Sequence, residues 1–529
     1  MRFYFREVPE PTGACPASLL DHAEAMMALK AVRRRQAKMK RSRFIPCLKH
    51  CALLLGAVSA LAGGCALHAP PREVSAAVPP QWFAPSPPAD APATLPHNGR
   101  LTDLTHWWDQ QGDPLLVELI ASAQAVSPSV ASARSRIEQA RATRVAAGAA
   151  LAPALDASAS ISRSRSPPLA PGVSALATTA QGGLQASWEM DVFGGNQASR
   201  NAAVERLAGA QAQWHDARVS VAAEVANQYY SYIACRELQK ITRADMASRQ
   251  ETARLTDLST KAGFTAPAIA ALARASAAEA SARATGQAAR CELDVKALVA
   301  FSALPEPDLK QKLALAQAIP AQAAPILIAN VPADALAQRP DIFQAAREVA
   351  AASDEIGSAQ AARYPRLALS GSIGTSRARS GGVSSDFNTW SIGPLSFTVP
   401  LFDGGRRAAD VDAAAARYDE AAATYRGRVR QAVREVEEAL INLQSTAARN
   451  IDAQTAVDGY QASFNGTEAL YKSGLASLVE LEDSRRTLLT AQTTLASLQQ
   501  SRNTAWVALY RAMGGGWTPA VDAAGLPAR

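Results

Sequence analysis

Residues 471–489, "YKSGLASLVELEDSRRTLL", break a long helical pattern at one glycine, Gly474, and then place acids at Glu480, Glu482 and Asp483. Residues 260–270, "TKAGFTAPAIA", set the same lysine, glycine and bulky apolar residue around Gly263, without the acids. A lone glycine in a helical run marks a possible end of the helix. The two breaks are 211 residues apart, and the chain repeats around them. Pro128 and Pro153 return as Pro340 and Pro365, and Leu155 returns as Leu367. "VFGGNQA" at Val192 returns as "LFDGGRRA" at Leu401, and Glu224-Val225 as Glu435-Val436. A near-constant offset across so many landmarks is the mark of a duplicated unit.

Each unit reads as a helix of about 22 residues, two strands, and a long helical hairpin tipped by the glycine. From Asn196 to Ala262 there is no proline, and from Arg406 to Ser473 there is again none. At 1.5 Å per residue such helices span on the order of 100 Å. The return helix of the second unit carries Leu481, Ser484, Leu488, Ala491, Leu495, Leu498, Arg502, Ala505 and Leu509 at heptad spacing. Val429, Val433, Val436, Leu440 and Leu443 keep the same spacing on the outgoing helix, as coiled-coil packing requires. In "LQASWEMDVF" the apolar Leu184, Ala186, Trp188, Met190 and Val192 alternate with Gln185, Ser187, Glu189 and Asp191. Alternation of period two gives a strand with one apolar and one polar face. "LDASASISRSRS" from Leu155, "LALSGSIGTSRAR" from Leu367 and "SFTVPLF" from Ser396 read as its partners, with Leu395, Phe397, Val399 and Leu401 on one face. Residues 167–183 and 380–388 between them read as loops.

The chain is 529 residues long with a formal charge of +7, and the whole excess lies in residues 1–64. A nucleic-acid surface would keep its excess in the folded domain, so that partner is set aside. The leader is itself readable. A basic stretch from Met39, a short apolar run from Cys51 to Ala62, and Gly63-Gly64-Cys65 make a secretory signal beginning at Met39. After Cys65 two further cysteines remain, Cys235 and Cys291, at 28 residues either side of Gly263. If Gly263 is a hairpin tip they face each other at one level, as a disulfide or as two buried thiols. His68, His97, His106 and His215 show no metal-ligand spacing, and no hydrolase or phosphate-cradling motif is present. The chain reads as no enzyme, with no catalytic residue, no metal and no cofactor; "LAGGC" (61–65) resembles a bacterial lipobox, which implies a covalent lipid on Cys65.

The segments then fall at 1–64 (leader), 65–112 (lipid-anchored extended segment), 113–302 (first repeat), 303–338 (proline-broken linker at the equator), 339–514 (second repeat) and 515–529 (tail). Arg339-Pro340-Asp341 reads as a helix start, with proline and an acid in the first turn. Trp107, Trp108 and Trp188 read as interfacial anchors, core residues or an equatorial band. Four strands cannot close a barrel, and open edges are not tolerated in lipid. Two chains would give eight strands with a filled interior, and three would give twelve with a channel.

These features together resemble the outer membrane factors, the TolC-like exit ducts, and among them the NodT-type lipoproteins of efflux pumps. The resemblance is carried by "SWEMDVFGG" (187–195), residues 339–374, "VPLFDGGRRAA" (399–409), "REVEEAL" (434–440) and residues 471–492, in family order. It implies a mainly α fold with four strands per chain, assembled as a homotrimeric α/β tube with a twelve-stranded barrel in the outer membrane and a helical tunnel in the periplasm. It implies a lipobox at Cys65, although Ala62 stands where leucine is usual. Partners would be outer membrane lipid, a periplasmic adaptor (membrane fusion) protein and an inner-membrane transporter of the RND type. The hairpin tips Gly263, Phe264, Thr265, Gly474, Leu475 and Ala476 would meet the adaptor. Glu480 and Asp483, with Glu482 beside them, would line a periplasmic gate, and Ile269 and Leu272 are their apolar counterparts in the first copy. The plainer reading of those acids is three solvated side chains balanced by Arg485 and Arg486. A duct for type I protein secretion, or a trimeric coiled-coil surface protein, is the alternative function.

Overall fold

The computed structural model describes residues 69–84, 107–110, 112–166, 175–315, 336–380 and 383–517. The leader and Cys65 lie outside the described residues. In chain order the elements are α1 (Trp107–Gln110), α2 (Pro114–Val126), α3 (Pro128–Ala149), β1 (Ala154–Ser166), β2 (Ala175–Met190), α4 (Gly195–Lys261), α5 (Pro267–Ser302) and α6 (Glu306–Leu315). They continue as α7 (Pro340–Ala361), β3 (Arg366–Ser380), β4 (Val383–Thr398), α8 (Arg406–Lys472) and α9 (Leu478–Ala512). The duplication is kept almost to the residue: α4 and α8 have 67 residues each, and α3 and α7 have 22 each.

Helix boundaries follow from local chemistry. Asp113 accepts from the backbone of Leu115 and Leu116, so α2 starts there. The Asp191 carboxylate accepts from the backbone of Asn196 and Gln197, and Asp403 does the same for Gly405 and Arg407. Both long helices therefore leave the sheet through the same carboxylate cap. The linker departs from the reading as an irregular segment, because residues 306–315 form α6. Its Leu309 and Leu313 are fully buried. Glu306 and Asp308 lie in its first turn and Lys312 in its last, as the helix dipole favours.

The four strands form one antiparallel sheet in the order β1-β2-β3-β4. Residues directly opposite share a face. One face collects Ala157, Leu184, Ile373 and Trp390 in one row, Leu155, Ala186, Gly371 and Ile392 in the next, and Trp188, Leu369 and Leu395 in another. The other collects Asp156, Gln185, Ser372 and Ser391. Two expectations are corrected. Residues 175–183 and 383–388 are strand rather than loop, and β4 ends at Thr398 rather than running to Phe402. The first half of β2 is mostly alanine, threonine and glycine, with Leu176 and Gln181 giving no sustained alternation, so pairing with its neighbours makes it a strand. In β4 the register shifts between Leu369 and Gly371, so that Leu395 and Phe397 share the apolar face with Ile392 and Trp390 despite opposite parity.

Midway along the helices lies the main core: Leu116, Leu119, Val225, Tyr229, Leu298, Leu309, Leu313, Val436 and Val507 are among its residues. Trp107 and Trp108 belong to it and pack on Tyr510, with ring centroids at 5.0 and 4.8 Å. Trp188 instead donates its indole N–H to the Leu151 carbonyl at 3.1 Å. The heptad seam is real: Leu481, Leu488, Leu498, Arg502, Ala505 and Leu509 are buried, as are Val429, Val436 and Leu443. Residues 69–84 run as an extended strap. Arg72 pairs with Glu205 of α4 and Asp354 of α7, and the backbone N–H groups of Phe83 and Ala84 donate to Glu437 of α8.

Arg339 precedes α7 as its sequence suggested, but its side chain also ties the second repeat together. It is buried, pairs with Asp341 at 2.8 Å and Glu435 at 2.8 Å, and donates to the Ala512 carbonyl at 3.0 Å. Burial alone would raise the Asp341 pKa, but the Arg339 guanidinium holds it below the usual carboxylate range. A carboxyl depressed in the folded state stabilises fully above its unfolded pKa, near about 3.9, and that contribution is lost as pH falls through the folded value. Asp341→Asn should therefore lower the thermal midpoint at pH 7, by about 3 kcal/mol in stability because a buried guanidinium loses a partner. The gap from the parent should shrink below about pH 4; a gap constant with pH would contradict the assignment.

Candidate functional site

The two helical hairpins end in the same device. At the first tip the Phe264 N–H donates to the Ser259 carbonyl at 2.9 Å and the Gly263 N–H to Thr260 at 3.0 Å. At the second, Leu475 donates to Leu470 at 2.8 Å and Gly474 to Tyr471 at 3.0 Å. This is a Schellman ending, and its turning residue must be left-handed. Gly263 has φ +85° and Gly474 φ +76°, which explains the shared glycine. The apolar residue that follows normally packs back on its own helix. Here Phe264 is 86% exposed and Leu475 76%, so each tip presents an unpartnered apolar side chain. Thr265 is tied to the first tip by a 2.6 Å contact between its hydroxyl and that of Ser259. Ala476 is half-buried.

The acids differ between the tips because the return helices start differently. α5 starts at Pro267 with Ala266 as a side-chain-free cap. α9 starts with a capping box: Ser477 accepts from the Glu480 backbone, and the Glu480 carboxylate accepts from the Ser477 N–H at 2.6 Å. Those hydrogen bonds from Ser477 hold the Glu480 pKa below its ordinary value. Asp483 lies one turn on, exposed, and reaches Arg486 at 3.2 Å. Glu480 and Asp483 are thus brought to one open helical face, while Ile269 and Leu272 of the first hairpin are also exposed.

Glu482 is not with them, which corrects its grouping as a gate acid. It is 9% exposed, and its carboxylate meets Arg249 of α4, the Ser276 hydroxyl of α5 at 2.8 Å and Arg485 at 2.5 Å. Two residues beyond Glu480, it lies about 200° round the helix, on the side packed against the first hairpin. Arg249 also pairs with Asp245 at 2.8 Å, and Arg485 donates to Ser248 and Thr252. Below this cluster Thr256 and Tyr471 join their hydroxyls at 3.1 Å, and Leu478 and Leu481 pack on Ala253 and Ala273. Burial pushes the Arg485 pKa down, the Glu482 charge opposing it. The sequence did hold a signal: Asp245, Arg249, Thr252 and Thr256 follow the helical spacing of one buried stripe, and charges on such a stripe need partners.

Cys235 and Cys291 join α4 to α5, with the sulfurs 2.12 Å and the Cα atoms 5.5 Å apart. Of the two alternatives read from the sequence, the structure has the bonded one.

The sheet has one apolar and one polar face, as the strands of a membrane barrel do, and is carried on helices of about 100 Å. The model of the outer membrane efflux protein family matches residues 119–300 and 331–515. The chain is 31% identical to the solvent efflux pump outer membrane protein SrpC of Pseudomonas putida, over 77% of this chain and 86% of that one. It is 30% identical to nodulation protein T of Rhizobium leguminosarum bv. viciae, over 78% of this chain and 84% of that one. The crystal structure of the outer membrane protein VceC from Vibrio cholerae superposes with a TM-score of 0.67 at 26% identity, over 78% of this chain and 99% of VceC. The chain belongs to the outer membrane efflux protein family. Its strands are the part in the outer membrane, and its helices are the periplasmic tunnel wall.

The two acids should part company in stability. Glu482→Gln removes the charge between two buried guanidinium groups and should destabilise by about 3 kcal/mol. Glu480→Ala removes one half of a capping box on an exposed turn and should cost clearly less. Unfolding of the two variants in detergent, followed by circular dichroism, checks the order; equal losses would contradict it.

Proposed function

We propose that the chain is the exit duct of a tripartite efflux pump, passing small molecules from the periplasm to the exterior. The observation that carries this reading is the open four-stranded sheet with one apolar face, joined in one chain to the two helical hairpins. Three chains supply twelve strands, enough to close a barrel around a channel. The same threefold assembly stands the helical pairs side by side as a tunnel. A lipid on Cys65 adds a second anchor, and the strap at residues 69–84 leads from it along α4, α7 and α8.

The narrow end of the tunnel is the gate. Glu480 and Asp483 of three chains place six carboxylates around it, and a ring of that sign favours cations and repels anions. The capping hydrogen bonds of Glu480 support an ionised ring, since they stabilise its charged form. Glu482 acts outside the ring, holding the second hairpin to the first. Phe264 and Leu475 with their tip neighbours are the surface for a periplasmic adaptor, through which an inner-membrane transporter of the RND type is engaged. Exposed apolar residues at two equivalent turns suit such a contact. The exported compound is a matter for pump and adaptor.

Two experiments test this. Deletion of the gene in its host should sensitise cells to some of a panel of antibiotics, dyes, solvents and metal salts. The gene from Met39 should restore resistance, and a Cys65→Ala version should restore it less. If deletion changes the set of secreted proteins and no tolerance, the duct serves protein secretion instead. In planar bilayers, Glu480→Ala with Asp483→Ala should raise single-channel conductance several-fold and weaken cation preference. Unchanged conductance and selectivity would remove both residues from the gate.

A further inference from the structure

The outer end of the sheet carries a charge pattern that transport does not require. Arg163 of β1 lies opposite Thr178 of β2, and Thr178 lies opposite Arg379 of β3. One row inward, Ala180 lies opposite both Ile161 and Arg377. All three arginines therefore share the face of Leu155, Leu184 and Ile373, which is the lipid-facing one. All three are exposed. Arg377 is paired with Asp386 of β4 at 2.6 Å. Arg163 and Arg379 have no ion-pair partner among the described residues.

The height of this group follows from the register. The apolar face begins at the helix end of the sheet with Met190, Leu367 and Phe397. From Met190 to Ala180 is ten residues of β2, about 34 Å along the strand. A strand tilt near about 40° reduces this to a height of about 25 Å, which is the height of the apolar band of a membrane barrel. Arg377 therefore sits at the top of that band and Arg163 and Arg379 one row above it. The helices occupy the periplasmic side, so this is the headgroup level of the outer leaflet. Neighbouring strands are about 4.8 Å apart, which places the Arg163 and Arg379 backbones about 10 Å apart across Thr178. Two extended arginine side chains span that gap from both sides. Like charges so placed repel each other unless an anion lies between them.

We propose that Arg163 and Arg379, with Arg377 beside them, clamp a phosphate group of the glycolipid that forms the outer leaflet. A guanidinium presents two parallel N–H donors to phosphate oxygens, so two of them hold one phosphate as a fork from either side. The Ile161 side chain and, further down the same face, Leu184, Ile373 and Trp390 offer an apolar wall for the acyl chains. A phosphate with acyl chains attached satisfies both halves of the site, whereas free phosphate satisfies only the upper one. The clamp fixes the depth of the barrel and supplies a lipid contact that the sheet needs where its apolar band ends. It rests on the membrane placement of the strands and is independent of what the duct exports.

The test uses the purified full-length protein in detergent, as its native oligomer, with binding followed by native mass spectrometry and thermal shift. Bisphosphorylated lipid A should bind and raise the thermal midpoint. Dephosphorylated lipid A, phosphatidylglycerol and inorganic phosphate should each bind at least about tenfold more weakly, consistent with the loss of one charge-assisted bidentate contact. Arg163→Gln with Arg379→Gln should lower lipid A affinity by a similar factor. Arg134→Gln with Arg144→Gln on α3, exposed and remote, should leave it unchanged. If the double glutamine variant fails to assemble, Arg163→Lys with Arg379→Lys is compared with the parent instead; it keeps the charge and loses the fork, and its affinity for lipid A should still fall by about threefold or more. Equal binding by parent and substituted protein overturns the clamp. Equal binding of phosphatidylglycerol reduces it to a generic anionic surface, and equal binding of inorganic phosphate reduces it to an ion site; either result overturns the glycolipid assignment. Neither result bears on efflux, which the growth panel measures separately.

Discussion

The structure depends on one constraint: in a bilayer every backbone N–H and C=O of a strand needs a partner. Among the described residues the sheet runs β1-β2-β3-β4, so β1 and β4 each keep one edge without a strand beside it. Water would satisfy such an edge, and hydrocarbon cannot. The apolar face of the sheet, with Leu155, Leu184, Ile373, Trp390 and Phe397, is exposed and suits lipid. The open edges point to further copies of the chain, and the rest of the architecture follows the geometry they impose. Helices that leave the sheet through matching Asp191 and Asp403 caps keep the symmetry of the sheet down the length of the tube.

Duplication made that symmetry inexpensive to keep. The two long helices are of one length, the tips close with one hydrogen-bond pattern, and each strand pair joins its neighbour in continuous register. Divergence is confined to small chemical choices with large effects. A proline and an alanine start one return helix, while a serine and a glutamate start the other. The capping requirement of α9 thus brings a carboxylate to the second hairpin tip, and the neighbouring Asp483 extends it. The first copy has no side-chain cap, and Pro267 instead removes one of the N–H groups that would need a partner.

Between the hairpins the molecule sets buried charge beside a small apolar cluster. Arg249, Glu482, Arg485 and Asp245 with Ser276 join three helices, α4, α5 and α9, near the tips. Such a cluster adds little net stability over apolar packing, but it penalises misalignment heavily, because any displacement strands a buried charge. It therefore defines the register of the second hairpin against the first. At the equator the task of holding helices together falls to apolar volume, with Tyr229 donating to Asp113 at 2.5 Å as a polar tie to the start of the first repeat. The arginines at the other end of the molecule place charge at the opposite boundary, where the apolar band gives way to headgroups.

By itself the sequence determined the repeat, the helix lengths, the glycine tips, the alternating strand faces and the family. These depend on periodicity, on residues with special backbone freedom and on local caps, all of which act over a few positions in the chain. Cys235 and Cys291 were legible as a facing pair for the same reason, since a hairpin makes equal distances from the tip equal in height. What only the tertiary structure decided was the part set by distant partners. The start of β2 has no sustained alternation of its own and becomes strand through β1 and β3. A register shift in β4 puts Trp390 and Leu395 on one face although their parity says otherwise. Glu482 reads like its acidic neighbours along the chain, yet Arg249, 233 residues away, takes it out of their company. Side-chain direction on one helix is local, but what waits on that side is not.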